Sequence, residues 1–149
     1  METLATMSAP VAVIDILNGL LEGEQSSVFR FMGEGSPYVS RAAAELRRPM
    51  REAVETNAGG INELGLLIQD LGGVPSARSN RFEEQYLAYL NLKFLLPKLL
   101  DDKRLTVKRY ENALKALGNA DANTSAMLQA HLARHREQLR MLDGLPIPH

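Results

Sequence analysis

IDILNGLLEGEQSSVFRF, residues 14–31, is the stretch whose reading decides the fold. One set of its apolar residues falls at Ile14, Leu17, Leu21, Val28 and Phe31, and Glu24 divides the long step between Leu21 and Val28 into three and four. Spacing of that kind turns one seam of a helix toward its neighbours. Glu24 therefore lies in the seam, where an unpartnered charge is costly and must find a cation, a hydrogen-bond donor or a proton.

Working outward, Ser8-Ala9-Pro10 reads as a helix start, which leaves 1–10 as a disordered N-terminus and predicts a first helix over 11–32 closed by Gly33-Glu34-Gly35. Ser36-Pro37 opens a second helix over 37–71, with a seam at Ala43, Leu46, Met50, Val54, Ile61, Leu64, Ile68 and Leu71 and with Asn57 filling its seven-residue gap. Pro49 predicts a kink near Glu45, and Gly59-Gly60 a kink or a close helix approach. Gly72-Gly73-Val74-Pro75 stops this helix. Phe82 to Leu100 is dense in Leu and aromatics on all sides, with Pro97 inside it. The third helix is expected over 92–118, with Lys103 and Thr106 in the seam between Leu99 and Tyr110. The fourth, over 124–142 and capped by Asn123 or Thr124, has the seam Leu128, Leu132, His135, Leu139, Leu142. These four helices, with no strand signal, predict an all-α bundle domain over 11–143, up-down with a long crossover connection between helices 2 and 3, followed by a C-terminal tail over 144–149. The alternative is a three-helix arrangement in which Pro97 splits the third helix.

Composition narrows the function classes. A net charge of −1 supplies no basic field for nucleic acid, and no run approaches the ~20 apolar residues of a membrane span. The absence of cysteine removes disulfides, thiolate catalysis and Cys-based zinc sites. With no basic leader at the N-terminus, a cytoplasmic location is the expectation.

Each seam carries a polar residue near its middle: Glu24, Asn57, Lys103 and His135. Together they predict a buried polar layer. Leu20-Leu21-Glu22-Gly23-Glu24 followed by Phe31, the helix end Leu71-Gly72-Gly73-Val74-Pro75, Lys103 followed by Tyr110, and the stretch Leu132 to Leu142 carry a resemblance. The chain resembles the ferritin-like superfamily in its rubrerythrin and bacterioferritin branch, over about Val11 to Leu142. That resemblance implies a four-helix bundle, a homodimer or larger oligomer, and a di-iron centre built from one Glu on each of two helices plus Glu-x-x-His on each of the others. Carried over, the first carboxylate falls at Glu24, the second-helix pair at Asn57 and Gly60, the third-helix carboxylate at Lys103 beside Asp102, and the fourth-helix pair at His135 and Gln138, or at Leu132 and His135 in the other register. No Glu-x-x-His occurs anywhere in the chain. The di-iron site is degenerate, no cofactor is expected, and a buried Glu24–Lys103 ion pair is expected where metal would sit.

Two functions from different classes follow. The first is a non-catalytic ferritin-like bundle acting through self-association, as a homodimer, or through binding another protein. The second is a metal-binding oxidoreductase or iron-handling protein using iron or zinc at Glu24 with His131 and His135, an i, i+4 pair able to chelate a transition metal. No catalytic residues are assigned: the serines form no Ser/His/Asp set, and Gly33, Gly35, Gly72 and Gly73 sit at helix ends, so no glycine loop cradles a phosphate.

Overall fold

The computed structural model describes residues 2–27, 29, 44–77 and 92–144. Among them the chain is all-helical, with four helices and no strand: α1 (Glu2–Gln25), α2 (Ala44–Asp70), α3 (Leu92–Leu117) and α4 (Ala122–Asp143). The expectations for Val28, Phe31, Met32, the Gly33–Pro37 junction, Phe82–Asn91 and the tail from Leu145 lie outside the described residues, as do the side chains of Glu45 and Leu46.

α1 differs from expectation at both ends. It begins at Glu2, so the disordered segment expected over 1–10 is helical from its second residue. Pro10 marks a start only where the preceding residues resist helix, and ETLATMSA is rich in helix formers. The helix ends at Gln25, short of the expected Met32, and the chain turns at Ser26 and Ser27, where the Ser27 amide moves to the Glu24 carbonyl at 3.2 Å. Ser26 Oγ donates to the Glu22 carbonyl at 2.8 Å, and Ser27 Oγ accepts from the Phe29 amide at 3.1 Å.

α2 runs without interruption through Pro49, and α3 through Pro97, which rules out the split third helix. α2 ends in a Schellman motif. Gly72 takes φ +86°, its amide donates to Gln69 O at 3.0 Å, and the Gly73 amide donates to Ile68 O at 2.9 Å. α3 ends one residue before Gly118, which has φ +55°. α4 is capped by Asp121, not by Asn123 or Thr124. The Asp121 carboxylate accepts from both of their amides, at 3.0 and 3.2 Å.

The packed pairs are α1–α2, α1–α3, α2–α4 and α3–α4. Cross-helix partners show each pair to be antiparallel. Asn57 and Gly60 meet Glu24 while Gly73 meets Ile14, and Lys103 meets His135 while Tyr110 meets His131. Likewise Ser27 meets Asp102 while Tyr110 meets Glu24, and Gln138 meets Thr56 while His131 meets Glu63.

At one end of the bundle Val13, Leu17, Leu20, Leu21, Leu64, Ile68, Ala113, Leu117, Leu128 and Leu132 form an apolar core. Each fully buried Leu or Ile contributes roughly 1.5–3 kcal/mol. Toward the other end, Phe29, Met50, Ala53, Leu96, Leu99 and Leu142 are buried. The polar residues fill the level between.

Candidate functional site: a buried polar network

Glu24, Asn57, Lys103 and His135 are each at most 2% exposed. One from every helix, they meet at one level. His131, Thr106 and Gln138 are also buried there, and so is Tyr110. A close approach of α1 to α2 makes room for the carboxylate. Gly60 has no side chain, and a Cβ built on it would stand 2.9 Å from Glu24 Oε2.

Every oxygen of the Glu24 carboxylate is engaged. Asn57 Nδ2 donates to Oε1 at 3.2 Å and to the Glu24 carbonyl at 2.9 Å. Tyr110 OH donates to Oε2 at 3.0 Å, and His135 Nε2 lies 3.0 Å from the same atom. His135 Nδ1 lies 2.8 Å from Lys103 Nζ. An ammonium only donates, so Nδ1 is the acceptor and Nε2 carries the proton given to Glu24. The expected Glu24–Lys103 pair is therefore not a direct one: the His135 ring stands between the two charges. Lys103 Nζ also sits 4.8 Å from the centre of the Phe29 ring, a cation–π distance.

Ionisation follows these contacts. Burial pushes Glu24 upward, but the hydrogen bond from His135, the nearby positive charge and the Tyr110 hydroxyl outweigh it, so its carboxyl lies below the ordinary value and is ionised. Burial lowers His135 against the opposing pull of Glu24, which keeps the ring neutral. Burial brings Lys103 down to about 8, moderated by Glu24 and Asp102, so it remains charged at neutral pH. Tyr110 is raised by burial and by Glu24, and it holds its proton. One negative and one positive charge thus share a neutral imidazole.

The network continues outward. The Tyr110 hydroxyl is 3.1 Å from His131 Nδ1, and His131 Nε2 is 2.5 Å from Glu63 Oε2. The Glu63 side chain is 46% exposed, so this end reaches solvent. The nitrogens of the two histidines have different partners: those of His131 meet Tyr110 and Glu63, and those of His135 meet Lys103 and Glu24. The Tyr110 ring lies against both imidazoles, with centroids 5.8 and 5.2 Å away. Beside the layer, Ser27 Oγ donates to Asp102 Oδ2 at 2.6 Å, and Gln138 Nε2 donates to Thr56 Oγ1 at 2.5 Å.

The residues do not fit the metal centre that the ferritin-like resemblance implies. Of the positions carried over, Asn57, Gly60 and Gln138 supply no ionised donor, and Lys103 brings an ammonium to the level where a cation would sit. The Glu24 oxygens and both His135 nitrogens are spent on one another and on their neighbours. Among the described residues no group of three His, Asp or Glu side chains is placed to hold a metal ion.

Sequence reasoning placed Tyr110 in an apolar seam and did not bring Glu63 into the layer. Thr106 in the third-helix seam, Gln138 in the carried-over fourth-helix pair and the i, i+4 spacing of His131 and His135 are the sequence signs that polar residues beyond the four lie at this level. No described helix is long and apolar enough to cross a membrane. No family model matches the chain, and neither curated proteins nor solved structures give a match.

Proposed function

We propose that the protein is a ferritin-like bundle with a crossover between its second and third helices, that it acts without catalysis through self-association, and that a network of side chains stands where relatives of that fold hold metal. The observation that carries this reading is the closed hydrogen-bond inventory of Glu24 and His135, with Lys103 as the resident cation. Among the described residues, every polar side-chain atom of Glu24 and His135 is already engaged by a neighbour. The network ties four helices together and fixes their register, a use for which buried polar groups are well suited.

Two features support the crossover. The antiparallel pairs leave α2 and α3 running in the same direction, so residues 71–91 have the bundle's length to cover. The segment after Gly73 starts back along α1: Val74 O accepts from Asn18 at 3.2 Å, and Ser76 O accepts from Gln25 at 2.8 Å.

Self-association rests on the family resemblance and on the apolar density of Phe82–Leu100. It gains support from Leu66 and Val74, which stand 53% and 82% exposed. Static light scattering at micromolar concentration is the test. A homodimer gives twice the 16.5 kDa chain mass, whereas a species of the chain mass alone across the concentration range would refute self-association.

A further inference from the structure

We propose that the N-terminal part of α1 is the dimer interface: residues 2–12 project past the other three helices, and their apolar stripe of Leu4, Met7 and Val11 pairs with the same stripe of a second copy. This placement rests on the self-association proposed above.

α1 outruns its neighbours. α2 comes to its stop at Gly72-Gly73, and Gly73 lies against Ile14. α3 runs antiparallel to α1 with Tyr110 at the level of Glu24, and it ends two helical turns further on at Leu117, level with Leu17. α4 starts from that same end, at Ala122. α1 itself continues back to Glu2. At about 1.5 Å per residue, residues 2–12 carry it roughly 16 Å beyond the end of the bundle. Val11, at the base of this overhang, is 54% exposed. A helix of this length does not hold itself in water, because isolated helices shorter than about 12–15 residues are marginal.

The overhang carries an apolar stripe that the chain's own core does not use. Inside the bundle α1 buries Val13, Leu17, Leu20, Leu21 and Glu24. Continued back in steps of three and four, that register meets Pro10, Ala9, Thr6 and Glu2, none of them a large apolar residue. Leu4, Met7 and Val11 stand in a different register, which Ile14 and Asn18 continue. Beside the bundle this second face is covered: Gly73 meets Ile14, and Val74 O accepts from Asn18. Beyond Ile14 that cover has turned back, since Ser76 already lies at Gln25.

The remaining stretches of the chain attach elsewhere. Residues 28–43 join Ser27 to Ala44, residues 78–91 follow the segment that Ser76 ties to Gln25 and lead to Leu92, and the tail departs from α4 near Asp143, which pairs with Arg104. All these points lie away from the overhang, toward the other end of α1. A second copy supplies the partner. Residues 2–12 contain one charged residue, Glu2, so two overhangs meet without like charges along the stripe. Antiparallel pairing about a two-fold axis near Met7 sets Leu4 of each copy beside Val11 of the other.

Static light scattering of the full chain tests the placement. The parent gives twice the chain mass of 16.5 kDa. Leu4→Asp combined with Val11→Asp raises the dimer dissociation constant by about a hundredfold or more, in a protein that still melts cooperatively. The chain has no cysteine, so single cysteines give a second readout: under mild oxidation Met7→Cys forms a disulfide-linked dimer, and Glu55→Cys, at an exposed position of α2, does not. A dimeric parent whose dissociation constant is unchanged in the double variant, or cross-linking through Glu55→Cys and not through Met7→Cys, overturns this placement and leaves self-association standing. A parent of single chain mass at every concentration overturns self-association and this placement with it.

Discussion

The carboxylate of Glu24 lies against the backbone of Gly60, so close that a methyl group at residue 60 would meet Oε2 at 2.9 Å. The glycine pair at 59–60 is consequently asymmetric. Gly60→Ala pushes on a carboxylate held by Asn57, Tyr110 and His135, and weakening charge-assisted hydrogen bonds costs about 1.5–3 kcal/mol each. A Cβ at Gly59 meets nothing within 4 Å, so Gly59→Ala gains up to about 1 kcal/mol of helix preference. Thermal or denaturant melts should show the two neighbours shifting stability in opposite directions. Gly60→Ala melting above the parent would show that Glu24 does not need this approach.

Lys103→Ala removes the only cation bonded to the inner network among the described residues and should destabilise the fold by roughly 3–5 kcal/mol. Because His135 stands between the charges, exchanging Glu24→Leu and Lys103→Met together leaves both His135 nitrogens bare, at about 1–3 kcal/mol. The triple exchange that adds His135→Leu should recover more of the loss than the double. Equal stability of the double and triple variants in urea titrations would contradict the bridging position of His135.

Tyr110→Phe deletes one hydroxyl that serves both Glu24 and His131. The expected loss is about 1–3 kcal/mol with the helical circular dichroism unchanged. A variant as stable as the parent would mean that neither contact contributes in solution.

The acid limb of the stability profile has two owners. Glu24 lies below 4.5 in the folded protein and His135 below 6.5. In both cases the unfolded chain takes up the proton first as pH falls, so stability declines from about 6.5 through the folded values. Lys103 acts at the other end. Between about 8 and 10.5 the folded state has shed its proton while the unfolded chain keeps it, so the Lys103 contribution grows with rising pH. Melting temperature against pH should fall below 6.5, and Lys103→Met should lose the alkaline gain. An acid limb unchanged by His135→Gln would assign that limb elsewhere.

Periodicity located what depends on spacing. Leu17, Leu21 and Glu24 are buried on one side of α1, Asn57, Lys103 and His135 occupy the corresponding level on the other helices, and the Gly72-Gly73 stop is a helix end with the left-handed glycine it needs. What periodicity misses is directional. The i, i+4 relation of His131 and His135 does not say which way each ring turns: His131 Nδ1 meets the Tyr110 hydroxyl, and His135 Nε2 meets Glu24. Tyr110 counts as apolar in a seam although its hydroxyl is the joint of the network. Past the end of α1 the Ser26 hydroxyl shares the Glu22 carbonyl with its own amide and Ser27 Oγ takes up the Phe29 amide, and at the start of α4 Asp121 is the cap in place of nearby Asn123 and Thr124. Those are local contests between side chains that hydrophobic spacing does not record.

Metal titration most directly tests the central claim that side chains have replaced a metal centre. Protein purified without a histidine tag would be titrated anaerobically with ferrous iron, followed by calorimetry and by elemental analysis after desalting. The expected result is no stoichiometric uptake and no change in melting temperature. Two irons retained per chain, with Glu24→Ala abolishing their binding, would contradict it.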